Sequence, residues 1–203
     1  TYKGVDTNNT QIDHNLGVVP EMIWAKSRSD AQVWNVLTYD GTTGRRLRLD
    51  ANNSGSTPPS GSVWGDGTNF VPPTSSVFTI GDYSNINTSG ATYIAYLFAS
   101  VAGISKVGSY TGTGNDLNVD CGFSAGARFV LIKRTDSTGD WYFWDSLRGI
   151  VVGNDPYLLL NETADQVTNT DYIDPLASGF TVTSSAPAAL NNNGGTYIFY
   201  AIA

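Results

Sequence analysis

The chain has 203 residues, of which 40% are hydrophobic and only 14% are charged, and its formal net charge is −7 at pH 7. Ordinary soluble domains carry roughly 25% charged residues, so the polarity of this chain comes mainly from Asn, Thr, Ser and Gly. Because no run of Lys or Arg occurs, the sequence excludes charge-driven binding to nucleic acid or to an anionic membrane. No apolar stretch approaches the roughly 20 residues of a membrane-spanning helix, so no membrane insertion is predicted.

Apolar residues occur in short bursts of strand length, separated by residues that form turns. In chain order, the clearest bursts are 22–25, 77–80, 129–132, 141–144, 179–182 and 197–200. β-branched and aromatic residues dominate them, as strands require. Turn signals return about every eight to twelve residues, which is typical of a sandwich. Since no segment keeps a helical apolar stripe, the sequence predicts an all-β fold with very little helix.

The sequence contains an internal repeat. Lys26 and Lys133, each at the end of an apolar burst, lie 107 positions apart, and residues 87–99 match residues 191–203 nearly one for one. Shared periodicity implies shared strand register. We therefore expect two β-sandwich copies that superpose strand for strand, with Trp34 on Trp141 and Tyr93 on Tyr197.

The boundary between the copies is predicted in a short apolar segment. The first sandwich is assigned to residues 1–99 and the second to residues 109–203, with residues 100–108 between them. This segment is too apolar for a free spacer. It is expected to pack as a linker and to fuse the copies into one rigid body.

Large aromatic residues mark the predicted cores. Trp34 and Trp141, which the repeat equates, are interpreted as buried core anchors, with Phe78 and Phe180 beside them. Residues 141–144 are apolar on both faces of their strand, so the outer face should be covered by the other copy or by another chain. Low charge and abundant Tyr and Trp are also typical of interfaces. Self-association is therefore expected, with a homotrimer as the favoured assembly.

The sequence offers no recognisable catalytic constellation. His14 is the single histidine, its repeat counterpart is Cys121, and no nucleophile signature accompanies it. A structural histidine is the favoured interpretation. The single cysteine cannot form an internal disulfide or a zinc cluster, and it is predicted to be a small buried hydrophobe. We predict no catalytic residue and no enzyme.

Acidic residues are frequent in the second copy and leave one alternative open. They occupy positions 136, 140, 145, 155, 162, 165, 171 and 174. Such residues could pair as the acid and base of a glycosidase or gather a calcium ion. Their spacing matches no known calcium loop, so turns and loop solvation are favoured. No cofactor or metal site is assigned, and calcium stays the alternative.

One Gly-rich loop fits carbohydrate binding. Trp64, Asp66 and Asn69 lie in an insertion for which the second copy has no close match. An exposed ring can stack on a sugar face while nearby Asp and Asn bind hydroxyl groups. These three residues are the candidate ligand site. The competing interpretation is that Trp64 covers its own sandwich or lies in a subunit interface.

Three blocks carry a resemblance to a known family. They are His14–Pro20 before a strand ending in Lys26, Trp141 followed by Asp145–Gly149, and Gly-x-Thr-Tyr-Ile-x-Tyr at 90–96 and 194–200. The chain resembles a β-sandwich domain family of tailed bacteriophages, familiar from marine phages, found in tail-fibre and other virion structural proteins. The second copy departs from it where it lacks a counterpart of Pro20.

This resemblance implies a concanavalin-like or jelly-roll sandwich in a virion appendage, without assigned catalytic residues. The leading hypothesis is a non-enzymatic structural or receptor-binding module of a phage tail fibre, spike or surface decoration. Its expected partners are copies of itself, other virion proteins and a host surface glycan, and its expected location is the virion surface. The alternative is a soluble carbohydrate-binding, lectin-like module. A polysaccharide-degrading spike is a more distant third.

Overall fold

A computed structural model describes residues 1–203 and confirms an all-β fold. The chain forms 15 strands and two helices and divides into two compact units. Unit 1 comprises Thr1–Asp50 and Gly55–Ala99, and unit 2 comprises Ala51–Ser54 and Ser100–Ala203. Each helix has four residues, and neither has the length or apolar character to cross a membrane.

Unit 1 is a sandwich of a five-stranded and a two-stranded sheet. Its elements are β1 (Tyr2–Lys3), β2 (Thr10–Asp13), β3 (Met22–Ser27), β4 (Asn35–Tyr39), β5 (Gly44–Arg48), β6 (Val77–Ile80), α1 (Ser84–Asn87) and β7 (Thr92–Phe98). The large sheet has the order β1-β7-β3-β4-β5, and β2 pairs with β6. Ile23 and Leu37 of the large sheet are buried together with Phe78 of β6. The core therefore lies between the sheets and contains Phe78 as predicted.

Unit 2 repeats this plan with a five-stranded and a three-stranded sheet. Its elements are β8 (Ser105–Thr111), β9 (Leu117–Asp120), β10 (Phe129–Arg134), β11 (Trp141–Asp145), β12 (Leu158–Leu159), β13 (Ile173–Leu176), β14 (Gly179–Val182), α2 (Ala188–Asn191) and β15 (Thr196–Ile202). The sheet orders are β12-β11-β10-β15-β8 and β13-β14-β9. Val130 and Trp144 are buried against Phe180 of β14, so Phe180 is also a core residue as predicted.

The two units share strand register, as the repeat predicts. Ile23 lies opposite Leu37 in unit 1, and Val130 lies opposite Trp144 in unit 2, so one offset of 107 relates both strands of the pair. On the other side of the central strand, β7 and β15 are related by an offset of 104. Because the central strands β3 and β10 pair with equivalent residues on both sides, equivalent residues of the two copies face the core.

Two stacked tyrosines show how closely the copies agree. Tyr2 lies opposite Tyr93 with ring centroids 5.0 Å apart, and Tyr110 lies opposite Tyr197 with centroids 4.8 Å apart. Tyr93 and Tyr197 therefore occupy equivalent strands and positions. In each copy the first tyrosine is followed two residues later by a glycine. A Cβ on Gly4 or Gly112 would lie 2.1 or 2.4 Å from a backbone oxygen, so both positions require glycine.

Of the two equivalent tryptophans, Trp141 is buried as predicted and Trp34 is not, and neither belongs to the cluster between the sheets of its unit. Leu37 and Trp144 point into the cores. Side chains alternate along a strand, so Trp34 and Trp141, each three positions earlier, face the opposite side of the sheet. Trp34, which directly precedes β4, is only half-buried. Trp141, the first residue of β11, is fully buried but on that opposite face.

The predicted boundary differs from the structure in two respects. From Ser105 onward, the segment expected to be a linker is strand β8, which pairs with β15 along its whole length. In addition, residues 51–54 belong to unit 2. The fully buried Lys133 explains this, because its ammonium donates hydrogen bonds to the carbonyls of Asn52 and Asn53 at 3.3 and 2.9 Å.

Candidate functional site

The candidate sugar-binding ring is buried. Trp64 is 0% exposed and belongs to the core of unit 1, with its ring centroid 6.1 Å from that of Phe78. The insertion turns at Ser60, whose carbonyl accepts the backbone N–H groups of Val63 and Trp64 at 3.0 Å. This turn directs both side chains inward. The prediction that the Trp64 ring is exposed is therefore wrong. The competing interpretation, in which Trp64 covers its own sandwich, is the one observed.

The other two residues of that candidate site form a turn. The Asp66 carboxylate accepts the backbone N–H groups of Thr68 at 2.9 Å and Asn69 at 2.7 Å. These hydrogen bonds hold the pKa of Asp66 below its usual value. Asp66 and Asn69 are exposed while the Trp64 ring points into the core. The structure therefore does not bring the three residues together as a ring-and-hydroxyl site.

The two titratable residues equated by the repeat lie in structural positions. His14 Nδ1 accepts the backbone N–H of Leu16 at 3.3 Å, and Nε2 lies 3.3 Å from the carbonyl oxygen of Thr74. Cys121 is buried in the core of unit 2, and burial raises the pKa of its thiol to about 11. Within residues 1–203, no group of three His, Cys, Asp or Glu side chains is placed to hold a metal ion.

The two most exposed apolar side chains lie in one loop of unit 2. This loop, residues 146–154, follows β11 and is here named the apex loop. Leu147 is 96% exposed, Val152 is 78% exposed and Val151 is about half exposed. Isolated exposed apolar residues are common on protein surfaces. Three within six consecutive residues are unusual, and exposed aliphatic side chains concentrated in one segment are typical of a contact surface.

The first half of the apex loop is held rigidly by Asp145. The Asp145 carboxylate accepts the backbone N–H groups of Leu147 at 3.1 Å and Arg148 at 2.9 Å. The Arg148 side chain forms an ion pair with the same carboxylate and lies over the Phe143 ring. Ile150 returns to the core of unit 2. Leu147 is therefore directed outward by a fixed turn and carries no unpaired charge beside it.

The second half of the loop is fixed by a buried carboxyl group. Asp155 is 0% exposed, and its two carboxyl oxygens accept the backbone N–H groups of Tyr172 and Ile173, both at 2.9 Å. Its backbone carbonyl accepts hydrogen bonds from Trp144 Nε1 and Thr170 Oγ1. Both ends of the apex loop are thus bound to the body of unit 2.

Asp155 is expected to make the stability of unit 2 depend on pH. Burial, with a contribution from the charge of Asp171, raises the pKa of Asp155 from 3.8 to about 6, although the two N–H donors favour the charged form. Because the folded pKa is the higher one, this contribution is fully present below pH 3.8 and is lost as the pH rises through 6. The difference in unfolding free energy between wild type and Asp155→Asn should fall by about 2 kcal/mol from pH 4 to pH 7.

Denaturant unfolding at several pH values would measure this difference. Carboxyl NMR titration of Asp155 should show a midpoint near 6. A midpoint at the ordinary value for aspartate, or a difference from the variant that rises with pH, would contradict the role assigned to Asp155.

The apex loop is specific to the second copy. In unit 1, β4 and β5 are joined by a short polar turn in which Asp40 accepts the backbone N–H groups of Thr42 and Thr43 at 2.8 and 2.6 Å. Both copies therefore use an aspartate to shape this connection, but only the second adds exposed aliphatic residues. Sequence reasoning missed this site. The available signal was the apolar run of residues 150–152, which has no counterpart in the short turn of residues 40–43 in the other copy.

The comparisons with known proteins give a family but no individual relative. No curated protein and no solved structure matches the chain. A family model described as "Domain of unknown function (DUF7483)" matches residues 1–203. Since this match spans the duplicated sandwich from end to end, the chain belongs to the DUF7483 family.

Proposed function

We propose that the chain is a non-enzymatic structural or receptor-binding module of a bacteriophage tail fibre, spike or surface decoration. It assembles with copies of itself through the apex loop. The observation that carries the assembly is the exposure of Leu147 and Val152 on a loop that hydrogen bonds hold at both ends. The sequence resemblance to virion structural domains supplies the biological setting.

The chemistry of the apex loop favours a protein partner. Its two most exposed side chains, Leu147 and Val152, are aliphatic, and the charged side chain of the loop, Arg148, is paired with Asp145. Such a surface has little to offer a polar or charged ligand, and it gains free energy when it is removed from water. Loop fixation also reduces the conformational entropy lost on association. A homotrimer would bring three such loops together.

Replacing Leu147 and Val152 together by aspartate is expected to prevent self-association. Both side chains are largely exposed, so the melting temperature should stay close to that of the wild type. Size-exclusion chromatography with light scattering should report a trimer for the wild type and a monomer for the variant. Ile104→Asp is the matched control, because Ile104 is 59% exposed but lies outside the apex loop.

A wild-type protein that is monomeric at micromolar concentration would contradict the assembly. A double variant that remains trimeric would contradict the role of the apex loop. Immunogold electron microscopy of the intact particle tests the setting, since label is expected on tail fibres, spikes or the outer surface. Particles without surface label would contradict the virion assignment.

A further inference from the structure

We propose that unit 1 has a binding site for a carboxylate-bearing sugar, such as a uronic acid, built around Arg46 of β5 with Asn35 and Tyr83. This site lies outside the apex loop, so it does not depend on self-association. It gives the receptor-binding part of the proposed function a ligand class.

The first observation is a cation without an anionic partner. The ion pairs of Arg48, Arg134 and Arg148 each join an arginine to a nearby aspartate, and Arg46 takes part in none of them. The Arg46 side chain is partly buried, and burial lowers the pKa of its guanidinium, with Tyr83 opposing this effect and Arg48 adding to it. Partly buried arginines normally have a carboxylate or phosphate partner.

The second observation is a pair of buried donors without acceptors. Arg46 Nη2 donates to Asn35 Oδ1 at 3.0 Å, which orients both side chains. Arg46 Nε and Asn35 Nδ2 are both buried, and neither has a hydrogen-bond partner. Asn35 is 0% exposed. Buried donors nearly always have a hydrogen-bond acceptor in folded proteins. The two unpaired donors of Arg46 and Asn35, whose side chains are hydrogen-bonded to each other, therefore indicate a missing acceptor beside them.

The repeat shows that this polar pair is not required by the fold. Asn35, Leu37 and Arg46 share the core-facing side of β4 and β5, since Leu37 lies opposite Arg46. By strand register, the equivalent residues of unit 2 are Tyr142, Trp144 and Tyr157. Those three rings pack with centroids 5.1 to 6.0 Å apart. The same position is therefore a packed aromatic cluster in one copy and a polar pair in the other.

The surroundings of Arg46 favour a sugar as the carrier of the carboxylate. The Tyr83 ring is 40% exposed, and its centroid lies 5.5 Å from the guanidinium carbon of Arg46. A planar guanidinium binds a carboxylate through two parallel hydrogen bonds, and a tyrosine ring offers flat contact area to the apolar face of a pyranose. The two groups together match an acidic monosaccharide.

The backbone N–H and carbonyl of Arg46 are both hydrogen-bonded within the protein, so a ligand would bind to the side chain. Its N–H donates to the Ser56 carbonyl at 2.9 Å, and its carbonyl accepts the Ser56 N–H at 3.0 Å. Gly55 allows this approach, because a Cβ there would lie 2.2 Å from the Arg46 carbonyl oxygen. The segment of residues 55–56 thus pairs with the edge of β5 and holds the backbone of Arg46 in place at the proposed site.

The test is an NMR titration of the full chain with sodium D-glucuronate, acetate and D-glucose. Glucuronate should shift the side-chain Nε–H signal of Arg46 and the side-chain amide of Asn35 saturably, with a Kd on the order of millimolar. Acetate should bind more weakly, and glucose should give no shift.

Variants separate the named roles. Arg46→Met should weaken glucuronate binding about tenfold or more, and Arg46→Lys, which keeps the charge but lacks the planar fork, should weaken it less. Arg46→Tyr, which copies Tyr157 of unit 2, should fold and lose binding. Arg48→Gln is the matched control on the same strand, because Arg48 is paired with Asp50 at 2.9 Å.

Three results would overturn the inference. Absence of saturable shifts with glucuronate would remove the site. Unchanged affinity in Arg46→Met, with a wild-type melting temperature, would place any binding elsewhere. Acetate binding as tightly as glucuronate would mean an adventitious anion only. None of these results depends on the oligomeric state or the virion setting, so failure here is distinguishable from failure of the proposed function.

Discussion

Trp64→Ala is expected to lower the free energy of unfolding by about 3–5 kcal/mol, the usual effect of removing a large aromatic side chain from a core. The ring is fully buried and shares a cluster with Leu37, Val63 and Phe78. Truncation would leave a cavity that the surrounding strands cannot close, because they are fixed by sheet hydrogen bonds. Denaturant unfolding followed by tryptophan fluorescence and circular dichroism would measure the loss.

Two further variants make this result specific. Trp64→Phe should cost less than alanine, since it keeps most of the volume and the indole Nε1 has no hydrogen-bond partner to lose. Thr68→Ala changes an exposed residue of the same insertion and should leave the melting temperature nearly unchanged. If Trp64→Ala melted like the wild type, the ring would not be a core residue, and the exposed sugar-stacking interpretation would return.

The position of Trp64 could not be predicted locally, because it depends on a residue in another strand. Unit 2 has Trp144 in β11 where unit 1 has the smaller Leu37 in β4. Unit 1 therefore lacks an indole at the core-facing position of this strand, and the insertion brings Trp64 into the same cluster as Leu37. A Gly-rich loop around a tryptophan looks the same in sequence whether the ring points inward or outward.

Strands and repeat were predictable because their signals are local or periodic. The bursts at 22–25 and 129–132 lie within β3 and β10, and the constant offset gives the same register in both copies. The choice of core-facing residues was harder where a strand is apolar on both faces. Alternation fixes which residues share a face, but it does not say which face is the core, and Trp141 was assigned to the wrong one.

The proposed Arg46 site was visible in sequence only by comparing the copies at matched positions. Taken alone, β5 resembles an ordinary charged edge strand. Aligned with unit 2, Arg46 replaces Tyr157 and Asn35 replaces Tyr142. Burial of these polar side chains depends on tertiary packing, so sequence comparison could point to the substitutions but not to the unpaired donors.

Asn191→Ala is expected to destabilise unit 2 by about 3 kcal/mol, because it removes four hydrogen bonds made by one buried side chain. The side-chain oxygen of Asn191 accepts the backbone N–H groups of Thr113 and Gly114 at 2.9 and 3.2 Å. Its amide nitrogen donates to the carbonyls of Asn115 and Thr183 at 2.8 and 3.0 Å. One side chain thus joins α2 to the loop after β8 and to the end of β14.

The repeat provides an independent check on this role. Asn87, the equivalent residue of unit 1, accepts the Val5 N–H at 2.9 Å and donates to the carbonyls of Thr7 and Gly81 at 2.9 and 2.7 Å. Asn87→Ala should therefore destabilise unit 1 by a similar amount. Asn193→Ala, at an exposed position two residues after Asn191, is the control and should have little effect on the melting temperature.

An isosteric variant separates hydrogen bonding from packing. Asn191→Asp keeps the shape of the side chain and its acceptor oxygen, but it replaces the amide nitrogen with an oxygen facing the carbonyls of Asn115 and Thr183. Loss of two hydrogen bonds and repulsion between oxygens should make this variant about as unstable as Asn191→Ala at neutral pH. Protonation of the introduced carboxyl group restores one donor, so the variant should recover part of the lost stability as the pH falls. An Asn191→Asp protein as stable as the wild type would show that shape, rather than the four hydrogen bonds, fixes α2.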